Sequence, residues 1–501
     1  MRFTLPTPRF LVDSAWRIRG KARGLVRFSG PTRKFLLAGL LSCGSAAALA
    51  QTQPGPGQAI PGTLGVSPFA GSTPGQVVPG VLPVSLHDAI DRGLKKNLGL
   101  LLAQTDVLSA RGQRWEQLSS LLPHLSVAFF GASEKVNLAE LGFAGTLPVA
   151  LPSSVGPFEY FDARATMRLS VFDWKSITAT RAAAQSLQAA EYGFRDARDL
   201  VVLAVGYVYL QAIADEVRID TAEAQVKTAQ AVYQQAADQV KAGTSPDIDA
   251  LRAKVERQTR EQQLIQAKNN FAIQKLTMAR VIGLPSGQDF ELTDKSPYQP
   301  FQSIGVDEFL ARAYRSRSDY QAALTDVRAA ELSRSSAVAG YYPSLSFNGD
   351  FGAAGGNFAT ATPVFTARGT ISIPLFEGGS VHGDVLQAEA KLDQSRERLE
   401  NLRAQVESDV RTALLNIQSS SQQVQVARSN IQLAEEALTQ SRDRFRAGVT
   451  DTVEVVQSQE AVASAHEQFI ASLYAYNFAK VSLARALGIA EEGVEEFFRG
   501  R

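Results

Sequence analysis

The chain has 501 residues, a single cysteine and a nearly neutral charge balance, with 51 lysines and arginines against 50 aspartates and glutamates. This composition excludes an intramolecular disulfide, a site built from several thiolates, and the strongly basic surface of a nucleic-acid-binding protein. No phosphate-binding loop, HExxH motif or nucleophile elbow occurs, so the sequence predicts neither an enzyme nor a cofactor. We interpret the scattered histidines as surface or strand-end residues and not as metal ligands; they are His87, His124, His382 and His466.

Residues 1–50 have the pattern of a secretory signal peptide. A basic stretch ends at Lys34, an apolar run follows, and Ala48-Leu49-Ala50 is a small-residue cleavage site. Leu40-Leu41-Ser42-Cys43 loosely resembles a lipoprotein cleavage box, so lipidation of Cys43 is the alternative processing. Because residues 1–50 hold nine basic residues and one acidic residue, the exported chain has 42 basic against 49 acidic residues and a net charge of about −7.

Proline placement divides the rest of the chain. Seven of the 21 prolines lie in residues 51–84, and this Pro/Gly-rich composition predicts a disordered lead-in, to which we assign no function. No proline lies between Lys175 and Thr244 or after Pro374. Because proline in a helix interior costs about 3 kcal/mol or more, both stretches favour long helices.

The chain contains two copies of one pattern. Landmarks recur in order at offsets of 220, 204 and 205 residues. The pairs are Thr105-Asp106-Val107 with Thr325-Asp326-Val327, Leu122-Pro123 with Tyr342-Pro343, Val171-Phe172-Asp173 with Leu375-Phe376-Glu377, and Lys241-Ala242-Gly243 with Arg446-Ala447-Gly448. We therefore predict a first repeat at 85–290, a linker at 291–305, a second repeat at 306–490 and a tail at 491–501. The first copy has 16 extra residues, which we place in a hairpin loop around Glu134 to Tyr160.

Each copy contains a long helix flanked by shorter ones. A helix from Trp174 to Val240 would be about 100 Å long, and we expect shorter helices at roughly Leu98 to Leu121 and Asp249 to Val281. A heptad row predicts a coiled-coil seam in the second copy; its members are Val410, Ile417, Val424, Ile431, Leu438 and Phe445. Gly243 and Gly448 suit left-handed helix endings, so both hairpins turn sharply there. Ser245 is the expected N-cap before Pro246, and Thr450 is the expected cap in the second copy.

Segments of period two lie between the short and the long helices. Polar and apolar residues alternate over 162–171, 344–351 and 366–373, which predicts strands with one polar and one apolar face. A half-buried sheet of a soluble protein is one interpretation. The other is a membrane barrel, because no exported segment has 18 consecutive apolar residues. Four strands cannot close a barrel, but three chains would supply twelve.

These features together resemble the TolC-like outer-membrane efflux protein family over roughly 84–490. The resemblance rests on the duplicated Pro-led strands, on the strand-to-helix turns at Phe172 and at Phe376 with Gly378 and Gly379, and on the tip Phe445-Arg446-Ala447-Gly448. It implies a mainly α protein with membrane β structure: a trimer with a 12-stranded barrel in outer-membrane lipid, a coiled-coil tunnel in the periplasm, and an equatorial region that includes residues 285–305.

The resemblance also implies a gate and partners. It places Asp249 and Glu454 at the periplasmic pore constriction, although both also suit the first turn of a helix, where the dipole stabilises acids. The tip that docks an adaptor would comprise Gly243, Phe445, Arg446, Gly448, Thr450 and Gln457. In the family an acid can stand at the Gln457 position and a basic gating residue at the Thr450 position, and Phe445 also suits heptad packing.

The implied function is a passive exit duct of a tripartite efflux or type I secretion system, a homotrimer that works with a periplasmic adaptor and an inner-membrane pump. Two alternatives remain open from the sequence. A periplasmic adaptor would need lipoyl-like β segments around one hairpin, and a structural coiled-coil rod would not need the alternating strands. The cargo is not indicated, although three methionines and no histidine cluster argue against a soft metal ion.

Overall fold

The computed structural model describes residues 67–138, 140, 152–294, 298–301 and 305–493. The predicted signal peptide, Cys43, residues 51–66 and most of the predicted tail lie outside the described residues. Within the described part the chain forms eight α-helices and six β-strands, in the order β1, α1, α2, β2, β3, α3, α4, β4, α5, α6, β5, β6, α7, α8.

Two very long helices dominate the fold. Helices α3 (Trp174–Lys241) and α7 (Ser380–Arg446) have 68 and 67 residues, which at about 1.5 Å per residue gives rods of about 100 Å. Shorter helices pack along them: α2 and α4 along α3, and α6 and α8 along α7, with α6 also against α3. Their bounds are α2 Leu98–Ser119, α4 Asp247–Ile282, α6 Ser318–Val338 and α8 Thr452–Ala486. The prediction of a long helix flanked by shorter ones in each copy is therefore confirmed.

The heptad row of α7 is the seam along which the helices pack. Val410, Ile417 and Val424 are each 5% exposed or less, and Leu438 and Phe445 are buried farther along. Apolar side chains at a spacing of seven stay on one side of a long helix and bury against its partners. This confirms the coiled-coil seam predicted from the sequence.

The remaining long element is a four-stranded antiparallel sheet in the order β2-β3-β5-β6. Its strands are β2 His124–Asn137, β3 Ser154–Phe172, β5 Ser344–Gly355 and β6 Thr362–Ser372. The register places Val127, Ala165, Phe351 and Phe365 side by side on one face. Ser126, Thr166, Asp350 and Thr366 form the adjacent row on the opposite face. The predicted amphipathic strands are thus confirmed, and both outer edges of the sheet lack a partner within the described chain.

The hairpin between β2 and β3 differs from the prediction. We expected a loop from about Glu134 to Tyr160, but Glu134 pairs with Phe158 and the strands continue to Asn137 and from Ser154. Cross-strand pairs extend the ladder, so part of the 16-residue excess lengthens β2 and β3. The connection is confined to residues 138–153, most of which lie outside the described residues.

A small mixed region surrounds the middle of the rods. Strand β1 (Leu82–Val84) pairs in parallel with β4 (Phe290–Leu292), next to α1 (Leu86–Lys96), while α5 (Val306–Ser316) packs on α7. The predicted disorder of the lead-in is therefore wrong for residues 67–84. Phe69 packs on the core, Val84 is fully buried, and the Gly75 amide donates to the Gly283 carbonyl at 2.9 Å. Apolar burial and backbone pairing order this segment despite its prolines.

By length and composition alone, α3 includes a window apolar enough to cross a membrane, and 61% of that window is buried within the chain. The window has no run of 18 consecutive apolar residues. Val201, Val205 and Tyr209 of this helix are each at most 1% exposed and belong to the core that also includes Val84 and Phe290. The apolar segment is accounted for by packing within the middle region.

Candidate functional site at the helical tips

Both helical hairpins end in a glycine with a left-handed backbone, as predicted. Gly243 has φ +70° between α3 and α4, and Gly448 has φ +71° between α7 and α8. The Thr244 amide donates to the Gln239 carbonyl and the Val449 amide to the Arg444 carbonyl, each at 2.9 Å. These bonds satisfy carbonyls left open at the end of each long helix. A side chain at φ near +70° would be strained, so glycine permits the tight tip.

The predicted caps of the next two helices are wrong by one residue. The N-cap of α4 is Pro246, which makes no side-chain cap bond, and the N-cap of α8 is Asp451, whose Oδ1 accepts from the Val453 amide at 3.1 Å. Ser245 and Thr450 therefore lie one position before the caps. From there their hydroxyls cannot bond the first helical amides in the usual way.

These two hydroxyls instead bind the predicted constriction carboxylates. Ser245 donates to Asp249 Oδ2 at 2.7 Å, and Thr450 donates to Glu454 Oε2. The two pairs are separated by 205 positions, the offset of the internal repeat at this point. The sequence identified all four residues but did not predict the contacts between them.

The two carboxylates occupy equivalent positions in unequal surroundings. Both are the third residue of their helices, where an acid is stabilised by the helix dipole. Asp249 is 6% exposed and lies 3.8 Å from Arg252, whereas Glu454 is half-buried and lies 3.5 Å from Arg444 of α7. The third position of each helix thus agrees with stabilisation of the acid by the helix dipole. It also places an acid beside each tip.

The other predicted tip residues divide into two groups. Phe445 is 4% exposed and packs among Val232, Ala236 and Val455, so within the chain it has the packing position that its heptad spacing allowed. Arg446 and Gln457 are exposed, and Arg446 lies 3.6 Å from Asp443.

The strand-to-helix turns differ between the copies. After Phe172, Asp173 caps α3 through a bond from the Lys175 amide at 3.0 Å. After Phe376, which is 87% exposed, Gly378 and Gly379 adopt φ of +62° and +88° before α7 begins. The first copy thus starts its helix with a side-chain cap, and the second does so with two left-handed glycines.

Sequence reasoning missed the ion pairs between the two hairpins. Arg218 of α3 contacts Glu467 of α8 at 2.8 Å, and Arg260 of α4 contacts Glu460 of α8 at 2.5 Å. These residues lie on polar helix positions about 200 residues apart or more, so no local pattern marks them. They tie the first hairpin to the second above the tips.

The comparisons with known proteins agree with this architecture. The family model described as outer membrane efflux protein matches residues 89–284 and 310–489. The pyoverdine export outer membrane protein OpmQ of Pseudomonas putida is 24% identical over 336 residues, which cover 66% of this chain and 70% of that protein. The outer membrane protein OprJ of Pseudomonas aeruginosa is 25% identical over 415 residues, 80% of this chain and 84% of that protein.

Solved structures share the fold. The CmeC outer membrane channel of Campylobacter jejuni superimposes with a TM-score of 0.70 at 18% identity, covering 83% of this chain and 88% of that one. The outer membrane protein VceC of Vibrio cholerae gives 0.69 at 19% identity, covering 80% and 96%. The two matched regions correspond to the two repeats and together span most of the chain. The chain therefore belongs to the outer membrane efflux protein family, and it is a non-enzymatic exit duct of the outer membrane with a TolC-like fold.

Proposed function

We propose that three copies of this chain close a single conduit, with a 12-stranded barrel above a helical tunnel that is gated at the tips. The observation that carries the proposal is the amphipathic sheet with two open edges. Leu125, Phe129 and Phe365 on its apolar face are 75%, 76% and 78% exposed. Unpaired edges and an apolar face need partners, and a closed barrel in lipid supplies both.

The helices support the same assembly. Apolar side chains of α4 and α7 face outward, including Ile265 (70% exposed) and Leu276 (64%) on α4, and Leu415 (65%) and Leu433 (62%) on α7. Exposed apolar side chains repeated along long helices are typical of a coiled-coil interface. Packing α4 of one copy against α7 of the next would bury both rows and close the tunnel.

The gate would act without chemistry. Asp249 and Glu454 from three chains would bring six carboxylates to the periplasmic end, each beside a hydroxyl and an arginine. A periplasmic adaptor would dock on the exposed tip residues, and an inner-membrane pump would energise transport. Spreading the hairpins would then open a continuous water path through the outer membrane.

The mass of the detergent-extracted protein tests this proposal. We expect a trimer that stays with outer membranes after a high-salt wash and conducts ions in planar bilayers. A periplasmic adaptor or a coiled-coil rod would be removed by the wash and would not conduct. A monodisperse monomer that still conducts would overturn the trimeric conduit.

A further inference from the structure

Two arginines lie in one row across the polar face of the sheet. The register pairs His124 with Arg168, Arg168 with Asn348, and Asn348 with Arg368, so all four strands contribute to this row. Arg168 and Arg368 are separated by one strand, a distance of about 9–10 Å at the usual strand spacing. The row lies near the helix-bearing end of the sheet, because His124 begins β2 and Arg168 lies four residues before the end of β3.

Neither arginine has a counterion within the part of the chain that the structure describes. Among the described residues, Arg168 and Arg368 make no ion pair or hydrogen bond, and both are exposed. The nearest carboxylate on this face, Asp350, lies one row away, where Arg164 contacts it at 3.3 Å. Arg164 also binds Asp162 at 2.7 Å. The third arginine of the face is thus neutralised locally, whereas the row of Arg168 and Arg368 keeps its positive charge.

The role of this row of arginines depends on whether the polar face of the sheet points to bulk solvent or into the lumen of a barrel. On a soluble sheet, two exposed arginines would be an ordinary solvated surface. Here the opposite face is apolar along all four strands, so in a closed barrel the polar face lines the lumen. Under the proposed trimer, three-fold symmetry gives three copies of Arg168 at one height and three copies of Arg368 at another. Six guanidinium groups would then surround the passage where the tunnel meets the barrel.

We propose that Arg168 and Arg368 form a basic collar that binds oxyanion groups of the cargo, such as those of polycarboxylates, at the point where the tunnel meets the barrel. This rests on the proposed trimeric conduit. Guanidinium groups bind carboxylates in a bidentate geometry, and like charges lining a narrow water-filled passage concentrate counterions. The flexible side chains and the aqueous lumen favour weak, multi-site contacts, which allow an anion to enter and then leave.

Citrate is a suitable probe, and single-channel conductance in planar bilayers is the measurement. Citrate is added only on the extracellular side, so that it meets the collar before the acidic tips. We expect concentration-dependent block of the parent channel. The double variant Arg168→Gln/Arg368→Gln should need at least tenfold more citrate for the same block. Arg168→Lys/Arg368→Lys, which keeps the charge, should retain block within a few-fold. The control Thr370→Gln alters an uncharged residue one row away and should be blocked like the parent.

The outcomes separate this inference from the proposed function. If the parent forms trimeric channels that citrate does not block, or if the glutamine variant is blocked as strongly as the parent, the collar is wrong and the conduit stands. If the parent forms no channel, the conduit is wrong and the collar fails with it. Should the double glutamine variant not assemble, the single variants Arg168→Gln and Arg368→Gln are measured, and each should weaken block several-fold. Unchanged block in both would overturn the collar.

Discussion

Arg260 of α4 binds Glu460 of α8 at 2.5 Å, although 200 residues separate them in the chain. The arginine side chain is 3% exposed and also contacts Glu256 of its own helix at 2.7 Å. Glu460 is 68% exposed, so the pair lies at the boundary between the packed helices and solvent. Because α4 belongs to the first hairpin and α8 to the second, this contact resists the separation of the two.

Replacing Arg260 by Met should loosen the hairpins while keeping most of the side-chain volume. Hydrogen bonds to charged groups contribute about 1.5–3 kcal/mol, so we expect R260M to lower the free energy of unfolding by about 1–3 kcal/mol. Thermal unfolding of the detergent trimer is the measurement. The matched control is R396M, since Arg396 and Glu331 are each about half exposed at 3.2 Å and such surface pairs contribute about 0–1 kcal/mol. Equal melting temperatures of R260M and R396M would show that the ion pair of Arg260 does not hold the two hairpins together.

The gate prediction concerns Asp249 and Glu454. Six carboxylates in a narrow passage would create a negative potential, so the parent should favour cations and be blocked by multivalent cations from the periplasmic side. The double variant Asp249→Ala/Glu454→Ala should reduce cation preference and relieve the block. Reversal potential in a salt gradient measures the cation preference, and the loss of conductance when the multivalent cation is added on the periplasmic side measures the block. Asp247→Ala is the control, because Asp247 is an exposed acid in the same first turn of α4. If the double variant folds and keeps the parent's selectivity, these two acids stabilise the starts of their helices and do not determine permeation.

A pH effect is expected from Asp199 in the middle region. Burial raises its pKa from 3.8 to about 6, with Asp196 and Glu491 adding to the shift and Arg485 opposing it. The folded state therefore binds the proton more tightly than the unfolded state. The resulting stability is present below about pH 3.8 and is lost as pH rises through about 6, a change on the order of 3 kcal/mol.

Asp199→Asn should remove this contribution. The difference in melting temperature between pH 4 and pH 7.5 should become smaller in the variant than in the parent, because asparagine does not titrate. Asp307→Asn, in the exposed first turn of α5, is the control. A parent-like pH dependence in Asp199→Asn would show that other groups determine it.

The connection between β2 and β3 should tolerate shortening. Deleting residues 140–151 leaves the paired strands to Asn137 and from Ser154 untouched, and surface connections usually accept changes of length. We expect trimer mass and conductance to stay within about twofold of the parent. Deleting residues 134–137 together with 154–158 instead removes paired strand residues and should impair assembly. Loss of the trimer on the first deletion would show that the connection contributes to the fold.

Local patterns in the sequence determined much of this protein. The heptad row of α7, the alternation along β3 and the glycines at positions 243 and 448 each predicted an element that the structure contains. Such patterns suffice because every third or fourth residue of a helix, and every second residue of a strand, lies on one side of the element. The internal repeat then predicted that two equivalent hairpins and two pairs of strands share one chain.

Tertiary structure alone decided the contacts between distant residues. The pairing of Arg260 with Glu460, the alignment of Arg168 with Arg368, and the ordering of residues 67–84 on the core depend on how separate elements are rotated and registered against each other. A one-residue change of register would move an arginine to the opposite face of the sheet. The caps at Ser245 and Thr450 were misplaced for a related reason. Each helix begins one residue later than the sequence predicted. Ser245 and Thr450 therefore precede the caps, and their hydroxyls bind the carboxylates of the tips.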